Sequence, residues 1–317
     1  MIVVATSDSD YSSSLVCEWL IYFKKEFIRL NDRVLFSIEN FELSEKGFTL
    51  IIRLDSGVLI NVNLVSSIWY RRGELLLDST LLDKEAKILS PRIEQSLRLQ
   101  YEDLNFLVLS LLENRRRINS FFTRRLNKLA VIQLAIEQGL LTPTSYVLSN
   151  ENQIIDLSDT KLITKSITDS PSIYLDGKQF VLYTNEIDFS KLESGRSFMY
   201  SLFQHKIEKK FEIRTFFLNG SFYSMAIFSQ GDNKTSLDFR RYNRSFENRK
   251  VPFQLPEIIE EKLNGLFNAL NLNCGSIDLI FTSNDEYLFL EINPVGQFGM
   301  VSFPCNYHLE KIIAEYL

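Results

Sequence analysis

Three oxygen-bearing side chains interrupt two apolar segments near the end of the chain. Asp278 lies in Gly275-Ser-Ile-Asp-Leu-Ile280, and Glu291 and Asn293 lie in Leu288-Phe-Leu-Glu-Ile-Asn-Pro294. Both segments are typical of strands, and side chains two residues apart on a strand point to the same face. Mg²⁺ prefers carboxylate and amide oxygens and shares them with substrate phosphates. If the two strands pair, the pattern predicts an ATP–Mg²⁺ site.

Two lysines occupy places where secondary structure would fix the direction of the side chain. Lys128 lies at the start of a predicted helix, and Lys165 ends the short apolar strand Leu162-Ile-Thr-Lys165. An ammonium group held in this way suits polyphosphate oxygens, whereas the alternative for each lysine is a solvated surface charge. The chain has no Gly-x-x-x-x-Gly-Lys sequence, which excludes a P-loop.

The segment Gln204-His-Lys-Ile207 precedes Glu212. An extended segment with free backbone groups could pair with the edge of a purine, and Glu212 could accept hydrogen bonds from ribose hydroxyls. The alternative is an ordinary edge strand with polar residues at every second position.

Arginines cluster at three places. In Asp238-Phe-Arg-Arg-Tyr242 two guanidinium groups fall in a polar loop, where they could bind phosphate or carboxylate oxygens or form a solvated basic loop. For Arg71-Arg72 and for Arg115–Arg117, solvated faces are the favoured interpretation, and a contact with an acidic peptide or phosphate is the alternative. Asp8 and Asp10 are expected to cap the helix that follows them.

Composition narrows the class of protein. The 317 residues are 45% hydrophobic and 24% charged, which is normal for a globular protein of one or two domains. A net charge of -5 argues against broad electrostatic binding of nucleic acid. The N-terminus is not a signal peptide, and no apolar segment reaches the ~20 residues that span a bilayer. We therefore expect a cytoplasmic protein that does not enter a membrane, with Cys17, Cys274 and Cys305 as isolated buried thiols.

The order of predicted elements is α+β with antiparallel hairpins rather than a doubly wound sheet. The chain begins as a small α/β domain, with a strand over residues 2–5 and a helix over residues 14–27. A hairpin surrounds Asp55-Ser-Gly57, and a second has Asn219-Gly220 as its turn. Further helices are predicted over residues 84–112, 126–138, 256–270 and 308–316, and further strands over residues 67–70, 144–148, 161–165 and 200–207.

In order and spacing, these segments resemble the ATP-grasp superfamily, and more closely the microviridin-type peptide ligases, or graspetide synthetases, with the grasp-with-spasm peptide maturases as the suggested subgroup. The resemblance runs from about Trp69 to the C-terminus. It rests on Trp69-Tyr-Arg-Arg72, Ile118-Asn-Ser120, Asn127-Lys128, Gly139-Leu-Leu-Thr-Pro143, Thr164-Lys165, Phe211-Glu-Ile-Arg214, Asp238-Phe-Arg-Arg-Tyr242, Gly275-Ser-Ile-Asp278 and Glu291-Ile-Asn-Pro294.

The resemblance implies the ATP-grasp fold, with an N-terminal α/β pre-ATP-grasp domain (residues 1–117) followed by two α+β lobes (residues 118–200 and 201–317) that sandwich ATP. It implies that ATP is bound by Lys128, Lys165, Gln204, Lys206, Ile207 and Glu212. It also implies that Mg²⁺ is held by Asp278, Glu291 and Asn293. Arg240 and Arg241 would steady the γ-phosphate and the acyl-phosphate, Asp238 would orient them, and Arg214 is a second candidate for the role of the arginines.

The reaction of the family is activation of an Asp or Glu side chain of a ribosomal precursor peptide by ATP. A Thr, Ser or Lys side chain of the same peptide then closes an ω-ester or ω-amide ring. The implied partner is a precursor peptide with a leader sequence. A homodimer is one option because the class usually dimerises, although the sequence has no coiled-coil heptad.

The sequence departs from the family pattern in two respects, and two alternative functions stay open. No glycine-rich cluster follows Lys165, so residues 170–184 would cover the phosphates differently, and the first ~65 residues match only in general pattern. An amino-acid ligase of the ribosomal-protein-modifying or glutathione-synthetase type is one alternative. A non-catalytic nucleotide-binding or peptide-binding module is the other, and the intact set of metal ligands argues against it.

Overall fold

The computed structural model describes residues 1–85, 89–123, 125–168, 173–175, 178–180, 184–229 and 248–317. Elements of the first part of the chain are β1 (Ile2–Thr6), α1 (Tyr11–Tyr22), β2 (Phe27–Asn31), β3 (Arg33–Ser44), β4 (Gly47–Leu54), β5 (Leu59–Asn61), β6 (Ser67–Tyr70), β7 (Glu74–Leu77), α2 (Thr80–Glu85), α3 (Pro91–Glu113) and β8 (Arg116–Ile118).

The later elements are α4 (Lys128–Glu137), β9 (Ser145–Asn150), α5 (Glu151–Ile155), β10 (Leu162–Lys165), β11 (Ile173–Leu175), β12 (Lys178–Phe180), β13 (Asn185–Glu186), β14 (Ser197–His205), β15 (Lys209–Leu218), β16 (Ser221–Phe228), β17 (Arg249–Phe253), α6 (Glu257–Ala269), β18 (Cys274–Thr282), β19 (Tyr287–Asn293), α7 (Gly299–Cys305) and α8 (Leu309–Tyr316).

The chain divides into two compact units. The first comprises Met1–Arg124, Gln297–Gly299 and His308–Leu317, and the second comprises Arg125–Gly296 and Met300–Tyr307. The finer division into residues 1–117, 118–200 and 201–317 stays a prediction. Among the described residues, no helix has both the length and the apolar character needed to cross a membrane.

The first unit contains a parallel sheet in the order β2-β1-β6-β8 and a mixed sheet in the order β5-β4-β3-β7. The predicted first strand is confirmed, as are the hairpin of β4 and β5 and the strand β6. The predicted helix over residues 14–27 is corrected, because α1 ends at Tyr22 and Phe27 begins β2.

Arg71 is not part of a solvated face. Its side chain is 3% exposed and lies 3.0 Å, from Nε to Oδ2, from Asp10, which is 4% exposed. Asp10 occupies the N-cap position of α1 but makes no capping hydrogen bond, because its carboxylate accepts from Ser13 Oγ at 2.7 Å and from Arg71. The expectation that Asp10 caps the helix is therefore wrong, and the residue forms a buried ion pair instead.

The second unit contains an antiparallel sheet in the order β13-β10-β14-β9, the hairpin β11-β12, and a five-stranded antiparallel sheet in the order β17-β16-β15-β18-β19. The Asn219-Gly220 turn between β15 and β16 is confirmed, with φ of 45° and 91° at the two residues. Positive φ at both central positions is the property of this turn type that favours Asn-Gly.

The main core of the second unit lies on one face of the five-stranded sheet. Apolar side chains from α4 and α6 pack there against strand residues such as Ile277 and Phe289, both fully buried. Phe217 and Phe267 stack with ring centroids 3.9 Å apart. Because successive side chains of a strand alternate between faces, the residues between these core positions point to the opposite face of the sheet. All three cysteines are buried and free, as expected.

Candidate active site

Charged residues predicted from three separate segments lie side by side on the face of the five-stranded sheet opposite the core. Arg214 of β15 is directly opposite Asp278 of β18, and Asp278 is directly opposite Glu291 of β19. Two residues along β18 from Asp278, Ser276 is opposite Asn293. Directly opposed residues of antiparallel strands share a face, so the structure brings together Asp278, Glu291 and Asn293 beside Arg214.

A β-bulge sets the direction of the site residues on β19. Asp278 pairs with Glu291, but the next residue, Leu279, pairs with Phe289, which leaves Leu290 as an extra residue. Strict alternation would place Phe289 on the same face as Glu291. The bulge instead lets Phe289 and Ile292 both enter the core while Glu291 and Asn293 face the other way.

Asp278 and Glu291 are each paired with a cation. Arg214 Nη1 donates to Oδ1 and Oδ2 of Asp278, each at 2.7 Å, and Lys128 Nζ lies 3.1 Å from Glu291 Oε2. The four side chains are between 11% and 29% exposed, so the pairs are largely shielded from water. The resulting surface carries closely spaced charges of both signs, which suits a ligand that contains anionic oxygens and a cation.

Lys128 reaches Glu291 from the first residue of α4. The preceding Asn127 caps the helix, and its side-chain oxygen accepts from the backbone N–H groups of Leu129 and Ala130 at 3.0 and 3.2 Å. α4 packs against the core through Val131 and Ala135, which fixes its first turn beside β19. A small pocket between this turn and the strand is lined by Leu126, Lys128, Val131, Glu291, Ile292, Asn293 and Pro294.

The donor atoms fit Mg²⁺. Two carboxylates and an amide are hard oxygen donors, and Mg²⁺ usually takes one or two protein carboxylates together with phosphate oxygens and water. Asn293 Oδ1 accepts from the backbone N–H of Val295 at 3.1 Å, which fixes the side chain and leaves one acceptor position. Among the described residues, the Oγ of Ser276 is a buried oxygen without a hydrogen-bond partner, and it lies on this same face.

Glu212 lies further along the same face and is held by two residues that the sequence did not indicate. Lys209 Nζ is 2.5 Å from Glu212 Oε1, and Ser229 Oγ donates to Oε2 at 3.0 Å. Burial raises the pKa of Glu212, and the nearby Lys209 opposes this effect. Lys209 reaches Glu212 because a bulge at Lys210 places both residues on one face. No local sequence pattern signals that bulge.

The remaining predicted nucleotide-binding residues lie on the smaller sheet and its connection to the larger one. Lys165 ends β10, where it pairs with Leu202 of β14. Gln204 is buried within β14, and its side chain donates to Ser145 Oγ at 2.8 Å. The connecting segment begins at Lys206, which donates from its backbone N–H to Lys161 O and pairs through Nζ with Glu186 at 2.6 Å.

Ile207 lies in the middle of this connection, between β14 and β15. Within the described residues, neither its N–H nor its carbonyl takes part in a backbone hydrogen bond. Asp238, Arg240 and Arg241, predicted to act on the transferred phosphate, lie outside the described residues.

Solved structures share this architecture along nearly the whole chain. A Chryseobacterium gregarium RiPP-associated ATP-grasp ligase, in complex with ADP and a leader and core peptide, has a TM-score of 0.75 and 22% identity over 99% of this chain and 94% of its own. The chain has the ATP-grasp fold. The predicted α+β class is therefore confirmed.

Two further solved structures share the architecture. The macrocyclase MdnC from Microcystis aeruginosa MRC, bound with precursor peptide MdnA, has a TM-score of 0.72 and 24% identity over 100% of this chain and 99% of its own. The ATP-grasp ligase PsnB, complexed with minimal precursor, Mg and ADP, has a TM-score of 0.69 and 15% identity over 99% of this chain and 95% of its own. No family model and no curated protein sequence matches the chain.

Proposed function

We propose that the protein is an ATP-dependent peptide ligase that closes ω-ester or ω-amide rings in a ribosomal precursor peptide. The observation that carries the proposal is the juxtaposition of Asp278, Glu291 and Asn293 with Arg214 and Lys128 on one face of an ATP-grasp sheet. Anionic oxygens with adjacent cations are what a polyphosphate with its metal ion requires.

The residues divide into binding roles. Asp278, Glu291 and Asn293 would hold Mg²⁺, which neutralises charge on phosphate oxygens when it is bound. Lys128 and Lys165 would bind phosphate oxygens, and Glu212 would accept hydrogen bonds from the ribose. The linker at Lys206 and Ile207, with Gln204 before it, would border the adenine. The backbone groups of Ile207 support this role, since they are not used in the backbone hydrogen bonds of the described residues.

The chemistry follows from the weakness of a carboxylate as an acyl donor. Transfer of the γ-phosphoryl group of ATP to a side-chain carboxylate of the peptide gives an acyl-phosphate, whose phosphate is a good leaving group. Arg214 lies beside the metal ligands, and the resemblance adds Arg240 and Arg241, oriented by Asp238. Guanidinium groups there would stabilise the negative charge that develops on the phosphoryl oxygens. A hydroxyl or amine of the same peptide would then attack the acyl carbon and release phosphate.

The proposed partner is a precursor peptide with a leader segment. The proposed location of the reaction is the cytoplasm. Peptides are bound in the three similar structures described above, which supports this class of substrate. A homodimer stays a prediction, as does the expectation that neither nucleic acid nor a membrane is a partner.

Mass spectrometry tests the proposal directly. Each short reading frame beside the coding sequence is made as a full peptide and incubated with protein, ATP and Mg²⁺. We expect the peptide mass to fall by one water for each ring. A mass that rises by an added amino acid would indicate an amino-acid ligase instead. No mass change in any peptide, without peptide-stimulated ATP hydrolysis, would contradict the proposal and favour a binding module.

A further inference from the structure

Each carboxylate proposed to hold the metal ion is already neutralised by a cation from another element. Arg214 of β15 contacts both oxygens of Asp278 at 2.7 Å, and Lys128 of α4 contacts Glu291 at 3.1 Å. Among the described residues, the charges of these two carboxylates and two cations therefore balance. Neighbouring Glu212 is likewise matched by Lys209, 6% exposed, so this pair adds no net charge.

A divalent cation that enters this site alone meets an unfavourable charge balance. It must displace the guanidinium and the ammonium from their carboxylates, and it leaves two excess positive charges in a region shielded from water. Like charges repel strongly in such surroundings, and breaking a shielded ion pair is costly when no new partner is available. A polyphosphate supplies the missing partner, because its oxygens accept the displaced cations.

The position of Lys128 gives independent support. The N-terminus of a helix carries a partial positive charge, so a lysine at its first residue is unfavourable unless an anion faces it. Glu291 is that anion in this structure. If a metal ion takes Glu291, Lys128 needs another anion, and a phosphate group can take that place beside the helix N-terminus.

We propose that Arg214 and Lys128 are internal counter-ions that keep the metal site closed to free divalent cations and release it only when a nucleotide polyphosphate binds. Metal and nucleotide then bind together rather than independently, and the two cations move from the carboxylates to the phosphates. The inference rests on the proposed function of the site as an ATP–Mg²⁺ site.

Mn²⁺ titration tests this without measuring turnover. The electron paramagnetic resonance signal of free Mn²⁺ is followed as full-length protein is added, with no nucleotide present. We expect weak binding to the wild type, and an affinity at least about tenfold higher in Lys128→Met and in Arg214→Met, since each variant removes a cation that competes with the metal ion for a carboxylate. Lys128→Arg keeps the charge and should keep the weak binding.

The matched control is Lys210→Met. Lys210 belongs to the same strand as Arg214 but pairs with Asp285 at 2.5 Å in an exposed position. Its removal should leave Mn²⁺ affinity unchanged. If Arg214→Met does not fold, as judged by circular dichroism, Lys128→Met decides the question alone, because Lys128 is the first residue of a helix and not part of the sheet.

The outcomes separate this inference from the function on which it rests. If Lys128→Met folds and binds Mn²⁺ no more tightly than the wild type, the counter-ion role is wrong. The proposed function still stands in that case, provided that two results are obtained with a non-hydrolysable ATP analogue present. The wild-type protein must bind Mn²⁺, and the variant Asp278→Asn must not. If wild-type protein binds neither the analogue nor the metal with it, the proposed function fails first.

Discussion

A single nitrogen of Arg214, Nη1, donates to both carboxylate oxygens of Asp278 at 2.7 Å. The pair lies on β15 and β18 within the five-stranded sheet, with Glu291 directly opposite Asp278 on β19 and Glu212 two residues from Arg214 on β15. Asp278 is therefore positioned by a neighbouring strand before any ligand is present.

Replacing Asp278 by Asn should abolish the reaction while preserving the fold. The amide oxygen can still accept from Arg214, but the negative charge that would hold a metal ion is gone. We expect peptide-stimulated phosphate release to fall by about 100-fold or more, as for other lost transition-state electrostatics. Asp285→Asn removes an exposed carboxylate from the turn between β18 and β19 and serves as the control. A wild-type rate in Asp278→Asn would remove this residue from the site.

Lys165→Ala should weaken nucleotide binding. The strand β10 fixes the direction of the ammonium group at its end, and loss of a phosphate-binding charge should lower ATP affinity about tenfold. Isothermal titration calorimetry with ATP and Mg²⁺ measures the change. Lys161→Ala is the matched control, because Lys161 is an exposed lysine just before the same strand. Equal affinities in Lys165→Ala and the control would contradict a phosphate role for Lys165.

Lys209→Met should make ATP binding sensitive to acid. Burial already raises the pKa of Glu212, and Lys209 opposes that rise, so its removal raises the pKa further. At a given pH, a larger fraction of Glu212 is then protonated, and a protonated carboxyl loses acceptor capacity for ribose hydroxyls. We expect the KM for ATP to increase as pH falls, beginning at a higher pH than in the wild type, with kcat changing less.

Ser229→Ala tests the pKa of Glu212 by removing the hydrogen bond to its other carboxylate oxygen, Oε2. Ser229 donates to Glu212 at 3.0 Å, and its hydrogen bond also favours the ionised form. The shift should have the same direction as in Lys209→Met and be smaller. Identical pH profiles for wild type and Lys209→Met would exclude an electrostatic role for Lys209.

Asp10→Asn should destabilise the first unit in a pH-dependent way. Burial alone would raise the pKa of Asp10, but Arg71, Ser13 and Arg72 together hold it below the usual value. The stabilisation is therefore present above the unfolded-state pKa of about 3.9 and is lost as pH falls through the lower folded-state pKa. Because the variant removes the carboxylate that pairs with the buried Arg71, the expected loss at pH 7 is about 3 kcal/mol.

Urea unfolding of Asp10→Asn and wild type at pH 7 and at about pH 3 measures this difference, which should shrink at the lower pH. Asp8→Asn, an exposed residue of the same loop, should change stability by less than about 0.5 kcal/mol. A stability difference that is the same at both pH values would show that the charge of Asp10 is not responsible.

The sequence predicted the segments that carry regular patterns. The strands with Asp278 and with Glu291 and Asn293 were located from apolar runs, and the two-residue spacing predicted that Glu291 and Asn293 share a face. The pairing of the two strands was a condition of the prediction, and the structure fulfils it. The Asn219-Gly220 hairpin was likewise read from its turn residues. Where the pattern is local, propensity and periodicity are sufficient to place the element.

Several features that escaped prediction depend on bulges or on distant partners. β3 was missed because the extra residue Glu39 shifts its alternation partway along the strand. Lys209 and Glu212 are three residues apart, a spacing that would place them on opposite faces of a regular strand. The burial of Arg71 depends on Asp10, which is 61 residues away in the sequence, so no local pattern distinguishes it from a solvated arginine.

The bulge at Leu290 has a consequence for how the gene tolerates change. Removing Leu290 would make Phe289 and Glu291 neighbours and would leave both facing as they do now, because the extra residue of a bulge stands outside the alternation of the ladder. Removing Ile292 instead would place Asn293 directly after Glu291 and turn it toward the apolar core, so losses of single residues two positions apart would have opposite effects on the site. In β19 the direction of each proposed ligand side chain therefore depends on the number of paired residues in the strand as well as on their identity.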